Sequence, residues 1–232
     1  MRNKFIFLFG LILLTVMLPG CVQQNTNTTS FVSGIILKLP EPLLKSEVSL
    51  EETLQNRRSV RQYSNTPLKL EDVSQLLWSA QGITSEQGWR TAPSAGGLYP
   101  LEVYLVAGNI SSLNSGVYKY IPDSHSLNLL ISKDLREELA GAALDQTPVK
   151  IAAIDIVISV VYERTTQKYG ERGIRYTHIE SGHVAQNILL QSTALGLGAV
   201  PIGAFDDNLV KKLLGMPEDE NPLYIIPVGN LE

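Results

Sequence analysis

The stretch Tyr162–Phe205, YERTTQKYGERGIRYTHIESGHVAQNILLQSTALGLGAVPIGAF, limits the fold more than any other part of the chain. It reads as one long helix closed by a Gly-rich turn. From His178 onward, Gly182, Ala185, Leu189, Ser192 and Gly196 recur at alternating steps of four and three, which keeps them on one helical face. Glycine inside a helix costs about 1 kcal/mol relative to alanine, so a face this rich in small side chains needs a reason. Close approach of another backbone supplies one, and the helix is expected at the centre of the fold and of a dimer. The adjoining face carries Glu180, His183 and Asn187, again at steps of three and four. Two readings of that polar cluster stay open: a functional site, or side chains that cap loops packed over the helix.

The N-terminus reads as a targeting signal. Arg2 and Lys4 precede an apolar run, Phe5–Met17, too short for a stable membrane span. Leu18-Pro19-Gly20-Cys21 then resembles a lipoprotein cleavage box, with Pro19 in place of the usual small residue. Residues 1–20 are expected to direct export as a signal peptide. Lipidated Cys21 would then hold the protein on the extracytoplasmic membrane face; the alternative is an uncleaved anchor. Cys21 is the only cysteine, which excludes a disulfide framework and a Cys-based metal or redox site. The Asn- and Thr-rich run that follows cannot bury a core, so residues 21–33 are expected to be a tether and 34–232 one domain. The formal net charge of −4 becomes more negative once Arg2 and Lys4 are removed, which argues against nucleic acid as a partner.

Local signals place the remaining elements. Ser49 is a helix N-cap for Leu50–Asn56, with Glu51 and Glu52 in the first turn. Arg57-Arg58-Ser59-Val60-Arg61 follows. Three guanidinium forks and a hydroxyl suit a phosphate, although a solvated charged turn would read the same way. An amphipathic helix is expected over Lys69–Ala80 and a loop of small residues over Thr91–Pro100, where backbone could approach a flat ligand closely. Strands are expected at Leu101–Ala107, Gly116–Ile121 and Ser126–Ile131, the last two as a hairpin. A helix over Lys133–Ala143 and a doubly buried strand over Ile151–Tyr162 come next. After the Gly196-Leu197-Gly198 stop, a helix at Asp207–Leu214 and a strand at Leu223–Val228 complete an α+β chain.

Several chemistries are absent from the sequence. There is no Gly-x-Ser-x-Gly elbow. Glu180-Ser-Gly-His183 has the spacing of a carboxylate-bridged metal site, but no second copy accompanies it, and three histidines in all argue against a metal enzyme. Gly196-x-Gly198 follows a helix instead of opening one, so it is no dinucleotide fingerprint. An arginine cluster, two small-residue loops and a tight helix pair remain. Together they suggest a site for flavin mononucleotide (FMN).

Arg57-Arg58-Ser59-x-Arg61, Pro93-Ser94-Ala95-Gly96 and Leu195-Gly196-Leu197-Gly198-x-x-Pro201-Ile202-Gly203 resemble the nitroreductase family. Lys168-Tyr169-Gly170-x-Arg172-Gly173-x-Arg175-Tyr176 and Glu180-x-Gly182-His183-x-x-Gln186-Asn187 resemble its SagB-type branch, the thiazole- and oxazole-forming dehydrogenases. The resemblance runs from about Leu54 to the C-terminus. It implies a mixed sheet with helices on both sides of it around a long central helix, and a homodimer with FMN at the interface. Arg57, Arg58, Ser59 and Arg61 would hold the phosphate and ribityl chain. Pro93, Ser94, Ala95 and Gly96 would reach the flavin from the second subunit, and Pro201, Ile202, Gly203 and Ala204 would line its ring near the reactive nitrogen. Lys168 and Tyr169 match a pair implicated in proton transfer during azoline oxidation. Asn230 stands where the branch usually carries Arg. The implied activity is oxidation or reduction of a small organic molecule through FMN, with NAD(P)H as a candidate electron donor. An azoline dehydrogenase acting on a modified peptide and a ligand-binding surface lipoprotein without turnover are the alternatives.

Overall fold

A computed structural model describes Met1 and residues 31–232; the apolar run and Cys21 lie outside the described residues. The chain forms β1 (Phe31–Lys38), α1 (Leu50–Asn56), α2 (Leu70–Gln81), β2 (Leu101–Ala107), β3 (Gly116–Ile121), β4 (Ser126–Ile131) and α3 (Arg136–Ala142). It continues with α4 (Thr147–Ile151), β5 (Ile154–Val161), α5 (Glu163–Tyr169), α6 (Arg172–Ala194), β6 (Leu197–Ala199), α7 (Asp207–Leu214) and β7 (Glu220–Asn230). The strands make one sheet in the order β1-β4-β3-β2-β5-β7-β6. Every ladder is antiparallel. Parallel pairing enters only as isolated bridges, Ser59 with Ala199 and Leu68 with Ile110. No helix among the described residues is long and apolar enough to cross a membrane.

Helices cover both faces of the sheet, as the α+β reading requires. On β5, Ile154, Ile156, Ile158 and Val160 face one core with Leu76 and Leu77 of α2 and Val184 and Ile188 of α6. Val157 faces the other, with Leu139 of α3, Val149 of α4 and Val210 and Leu214 of α7. A strand buried on both faces alternates between two apolar layers instead of between core and water. Each such side chain contributes about 1.5–3 kcal/mol through burial.

The long helix differs from its sequence reading. Tyr162–Phe205 is not one helix: α5 ends at Gly170, whose φ of 58° and ψ of −149° suit glycine alone. Gly173 lets the first turn of α6 press against α5; a Cβ there would lie 2.9 Å from backbone atoms of Thr165 and Thr166. The small-residue face also divides. Ala185, Leu189 and Ser192 are buried within the subunit, whereas His178, Gly182 and Gly196 are exposed, and a Cβ on Gly182 would touch nothing within 4 Å. The close backbone contact within one subunit is therefore at Gly173.

Other boundaries moved for local reasons. The third helix starts at Arg136 instead of Lys133 because the Asp134 carboxylate accepts from the Arg136 backbone N–H and guanidinium, holding the chain in a turn. Thr147–Ile151 forms a short helix with Pro148 in its first turn, which takes the start of the strand expected from Ile151. The last strand extends to Glu220 and Asn230 through two prolines; Pro222 sits at an irregularity opposite Ser159, where its missing N–H is tolerated. β1 begins at Phe31, inside the segment read as tether, and pairs with β4 at the sheet edge.

Candidate functional site

The arginine segment is strapped to the β6–β7 edge of the sheet. Ser49 caps α1 through a full capping box with Glu52, and the chain leaves α1 at Arg57. The Val60 N–H donates to the Ala199 carbonyl at 3.0 Å. The Tyr63 hydroxyl donates to the carbonyls of Val60 and Pro227, at 2.8 and 3.2 Å. Two glycines admit the strap: a Cβ on Gly198 would lie 2.6 Å from Val60, and one on Gly229 would lie 2.8 Å from Tyr63. Arg57 is half-buried, and Arg58, Ser59 and Arg61 are exposed. Arg58 and Arg61 donate only to carbonyls of Gln55, Arg57 and Ser59. Among the described residues no carboxylate pairs with any of the three guanidinium groups.

The strap pairs with Ala199, two residues before Pro201. Ile202 is buried and exchanges both backbone hydrogen bonds with Ile225, at 2.8 and 2.9 Å. Gly203 and Ala204 stay exposed beyond it. Asn230 donates to the Thr66 and Pro67 carbonyls at 3.0 and 3.2 Å, so it closes a loop instead of offering a charge.

The second group assembles at the N-terminal half of α6. The loop Pro93–Gly97 turns through two glycines with φ of 66°. A Cβ on Gly96 would lie 2.7 Å from the Tyr169 hydroxyl and 2.9 Å from Lys168 Nζ, so both polar ends converge over this glycine. The Tyr169 ring meets Tyr176 edge-on at 5.2 Å, which fixes its direction. Arg164 ties α5 to the loop, donating to the Tyr99 carbonyl at 3.2 Å and to Glu102 at 2.5 Å. Tyr99 has a φ of 46°, a strained value held by the Ser94 hydroxyl accepting its N–H at 2.9 Å and by Arg90 stacked 4.5 Å above its ring.

Glu180 is the residue the sequence reading noticed without assigning. It is 2% exposed, and its Oε2 accepts from the Ser94 hydroxyl at 2.6 Å. Its Oε1 is buried with no partner. Burial pushes its carboxyl up to about 7, while the Ser94 hydroxyl, Arg90 and the Ala95 N–H pull the other way. Asn187 donates to the carbonyls of Ser79 and Thr91, so it clamps the loop after α2. Glu180 and Asn187 thus behave as loop caps, and His183 stays exposed in a cleft with Pro93, Ser94, Ala95, Tyr176 and Ile179. Arg164 had no signal of its own in sequence beyond lying four before Lys168, and Tyr176 appeared only as the last residue of the Lys168–Tyr176 motif, with no role assigned.

The two groups do not meet within one subunit. Glu180 marks the loop end of α6, and the arginine end begins after Ala194, about 20 Å further along the helix axis. Unpaired guanidinium forks suit a phosphate. A buried orphan carboxyl oxygen beside the cleft lined by Pro93, Ser94, Ala95 and Tyr176 suits a polar planar ring. The residues present therefore fit FMN, in two halves.

An antiparallel sheet covered by helices on both faces, with an arginine cluster unpaired among the described residues at one end of α6, frames the comparison with known proteins. The chain belongs to the nitroreductase family, a family of oxidoreductases; the match to "Nitroreductase family" covers residues 54–230. It is 48% identical over 183 residues to a candidate nitroreductase of Methanocaldococcus jannaschii, covering 79% of this chain and 91% of that one. It is 29% identical over 136 residues to the microcin B17-processing protein McbC of Escherichia coli, covering 56% of this chain and about half (49%) of McbC. A nitroreductase-type crystal structure from Ralstonia eutropha superposes with a TM-score of 0.74 at 27% identity, covering 88% of this chain and 98% of the other.

Proposed function

We propose that the chain is an FMN-dependent oxidoreductase acting on a small organic substrate as a homodimer. The convergence of Lys168 Nζ and Tyr169 Oη over Gly96 carries this reading. It sets two proton-exchanging groups against the Pro93–Gly97 loop, where this reading places the flavin ring. Bound FMN supplies two-electron chemistry that no side chain here can perform. Arg57, Arg58, Ser59 and Arg61 bind the phosphate and ribityl chain. Pro201, Ile202, Gly203 and Ala204 line one side of the ring, with exposed backbone at Gly203 and Ala204. Pro93, Ser94, Ala95 and Gly96 come from the second subunit, because the two halves of the site sit at different ends of α6. Lys168 and Tyr169 hold or accept the proton that accompanies electron transfer.

Two substrate classes fit. A quinone or nitroaromatic electrophile reduced at the expense of NAD(P)H is the first. Oxidation of a peptide-derived azoline is the second, favoured by the similarity to McbC and by the Lys–Tyr pair. The purified protein is expected to be yellow and to bleach with dithionite or NADPH. Colour that no donor bleaches would instead make it a binding protein. Lys168→Ala and Tyr169→Phe are expected to abolish azoline oxidation and to spare quinone reduction.

Attachment to the extracytoplasmic membrane face through lipidated Cys21 is proposed on the sequence Arg2–Cys21 alone. Cys21→Ser should then release the protein from the membrane fraction.

A further inference from the structure

We propose that Glu180 is a positioning residue whose single proton sets the direction of the Ser94 hydrogen bond, so that Ser94 offers its O–H to an acceptor atom on a planar ligand only when Glu180 is neutral. The inference deepens the flavin reading and rests on it for the identity of the ligand.

The geometry allows two polarities. Ser94 Oγ and Glu180 Oε2 are 2.6 Å apart, and the Tyr99 N–H reaches the same Oγ at 2.9 Å. A hydroxyl has one proton and two lone pairs. With Glu180 ionised, Ser94 must donate to it, and the hydroxyl proton is committed to the carboxylate. With Glu180 neutral, the acid can donate to Oγ. Both lone pairs of Ser94 are then filled, by Glu180 and by Tyr99, and its own proton turns free. The cleft beside it is lined by Pro93, Ala95, Tyr176, Ile179 and His183. An acceptor on a bound heterocycle, a ring nitrogen or carbonyl, takes that proton.

Three observations favour a carboxyl that changes state near neutrality. Glu180 is almost fully buried, and its Oε1 has no hydrogen-bond partner. Burial raises its pKa to about 7. The groups that face it are few: Ser94 and the Ala95 N–H from the Pro93–Gly97 loop, Arg90 from the loop after α2, and His183 and Tyr176 along its own helix. Only Arg90 opposes the neutral form with a full charge. The carboxyl of Asp134, by contrast, is matched at both oxygens by Arg136 and stays ionised.

FMN affinity measured by fluorescence quenching from pH 5.5 to 8.5 tests the switch, with wild type, Glu180→Gln and Ser94→Ala compared at each pH. The ratio to Glu180→Gln removes the titration of the FMN phosphate itself. A glutamine amide donates to Ser94 at every pH and copies the neutral acid. The expected result is wild-type affinity that falls up to tenfold per unit above pH 7 relative to Glu180→Gln. Ser94→Ala should be weak at all pH values. A constant ratio overturns the proposal, as does a Glu180→Gln variant as weak as Ser94→Ala. Carboxyl-carbon NMR of the ligand-free protein decides the point separately. If Glu180 titrates with an ordinary carboxylate pKa, the switch fails even where FMN binds. If no variant takes up FMN at any pH, the flavin reading and the ligand role of Ser94 fail together, while a neutral-range titration would still locate the proton on Glu180.

Discussion

Arg58 and Arg61 carry full charge at an exposed strap with no carboxylate to meet it among the described residues. A charged hydrogen bond to a phosphate contributes about 1.5–3 kcal/mol. Arg58→Ala and Arg61→Ala are each expected to weaken FMN binding by about 10- to 100-fold, with melting of the flavin-free protein unchanged; equilibrium dialysis and calorimetry measure both. Glu180 makes a prediction of opposite character. Its folded-state pKa, about 7, lies above the ordinary value of 4.5. The unfolded chain therefore releases this proton first as pH rises. The stability it contributes is complete below about 4.5 and is lost by the time pH passes about 7, a difference on the order of 3 kcal/mol. Asp155, fully buried with both oxygens unpartnered, tilts the profile the same way. Glu180→Gln isolates one contribution: thermal melts should show the variant gaining on wild type between pH 5 and 8. At this scale the sequence was informative about residue type. The arginine triplet and the Ser94 loop were visible as runs of charge and of small side chains. The pairing of Ser94 with Glu180 was not, because the two are 86 residues apart.

Among the elements, the α5–α6 corner decides where Lys168 and Tyr169 point. Gly170 adopts a backbone conformation that costs any other residue about 1–3 kcal/mol. Gly170→Ala is expected to lower the melting temperature by about 2–4 °C per kcal/mol. It should also reduce turnover more than flavin affinity, since the arginine strap lies elsewhere. Equal losses in both would count against a local role. Reading Tyr162–Phe205 as one helix failed here for a definable reason. The small-residue spacing begins at His178 and says nothing of the stretch before it, where the positive φ of Gly170 and the close approach of α5 to Gly173 turn the chain. Short-range chemistry was more legible. Leu50–Asn56 falls where its Ser49 cap, accepting from the Glu52 N–H, places it, and Asp207–Leu214 holds its expected bounds with Asp206, not singled out in sequence, accepting from the Leu209 N–H. The hairpin of β3 and β4 and the central strand β2 likewise match their apolar runs. β1 was missed because an edge strand with Ile35 and Ile36 exposed lacks the alternation that marks a buried one.

For the whole molecule, the proposed flavin site is divided between the two ends of α6, so on that proposal a lone subunit supplies the arginines or the Pro93–Gly97 loop to one flavin, but not both. Flavin retention should therefore depend on protein concentration. Dilution is expected to release FMN and dissociate the dimer together, in sedimentation velocity followed at the flavin wavelength; monomers that keep FMN would refute the two-subunit site. The exposed Ile174, Ile179 and open Gly182 of α6 leave the surface such a dimer requires. The sequence by itself determined the α+β class, the two apolar layers around β5, the Ser49 cap and the chemical types at the candidate site, since these follow from periodicity and from interactions a few residues long. Tertiary structure alone decided that Lys168 and Tyr169 stand over Gly96, that Glu180 holds Ser94, and that the arginines lie apart from both. Those relations depend on which distant backbones pack closely, and close packing is settled by the sum of contacts in the folded chain, not by any local run of residues.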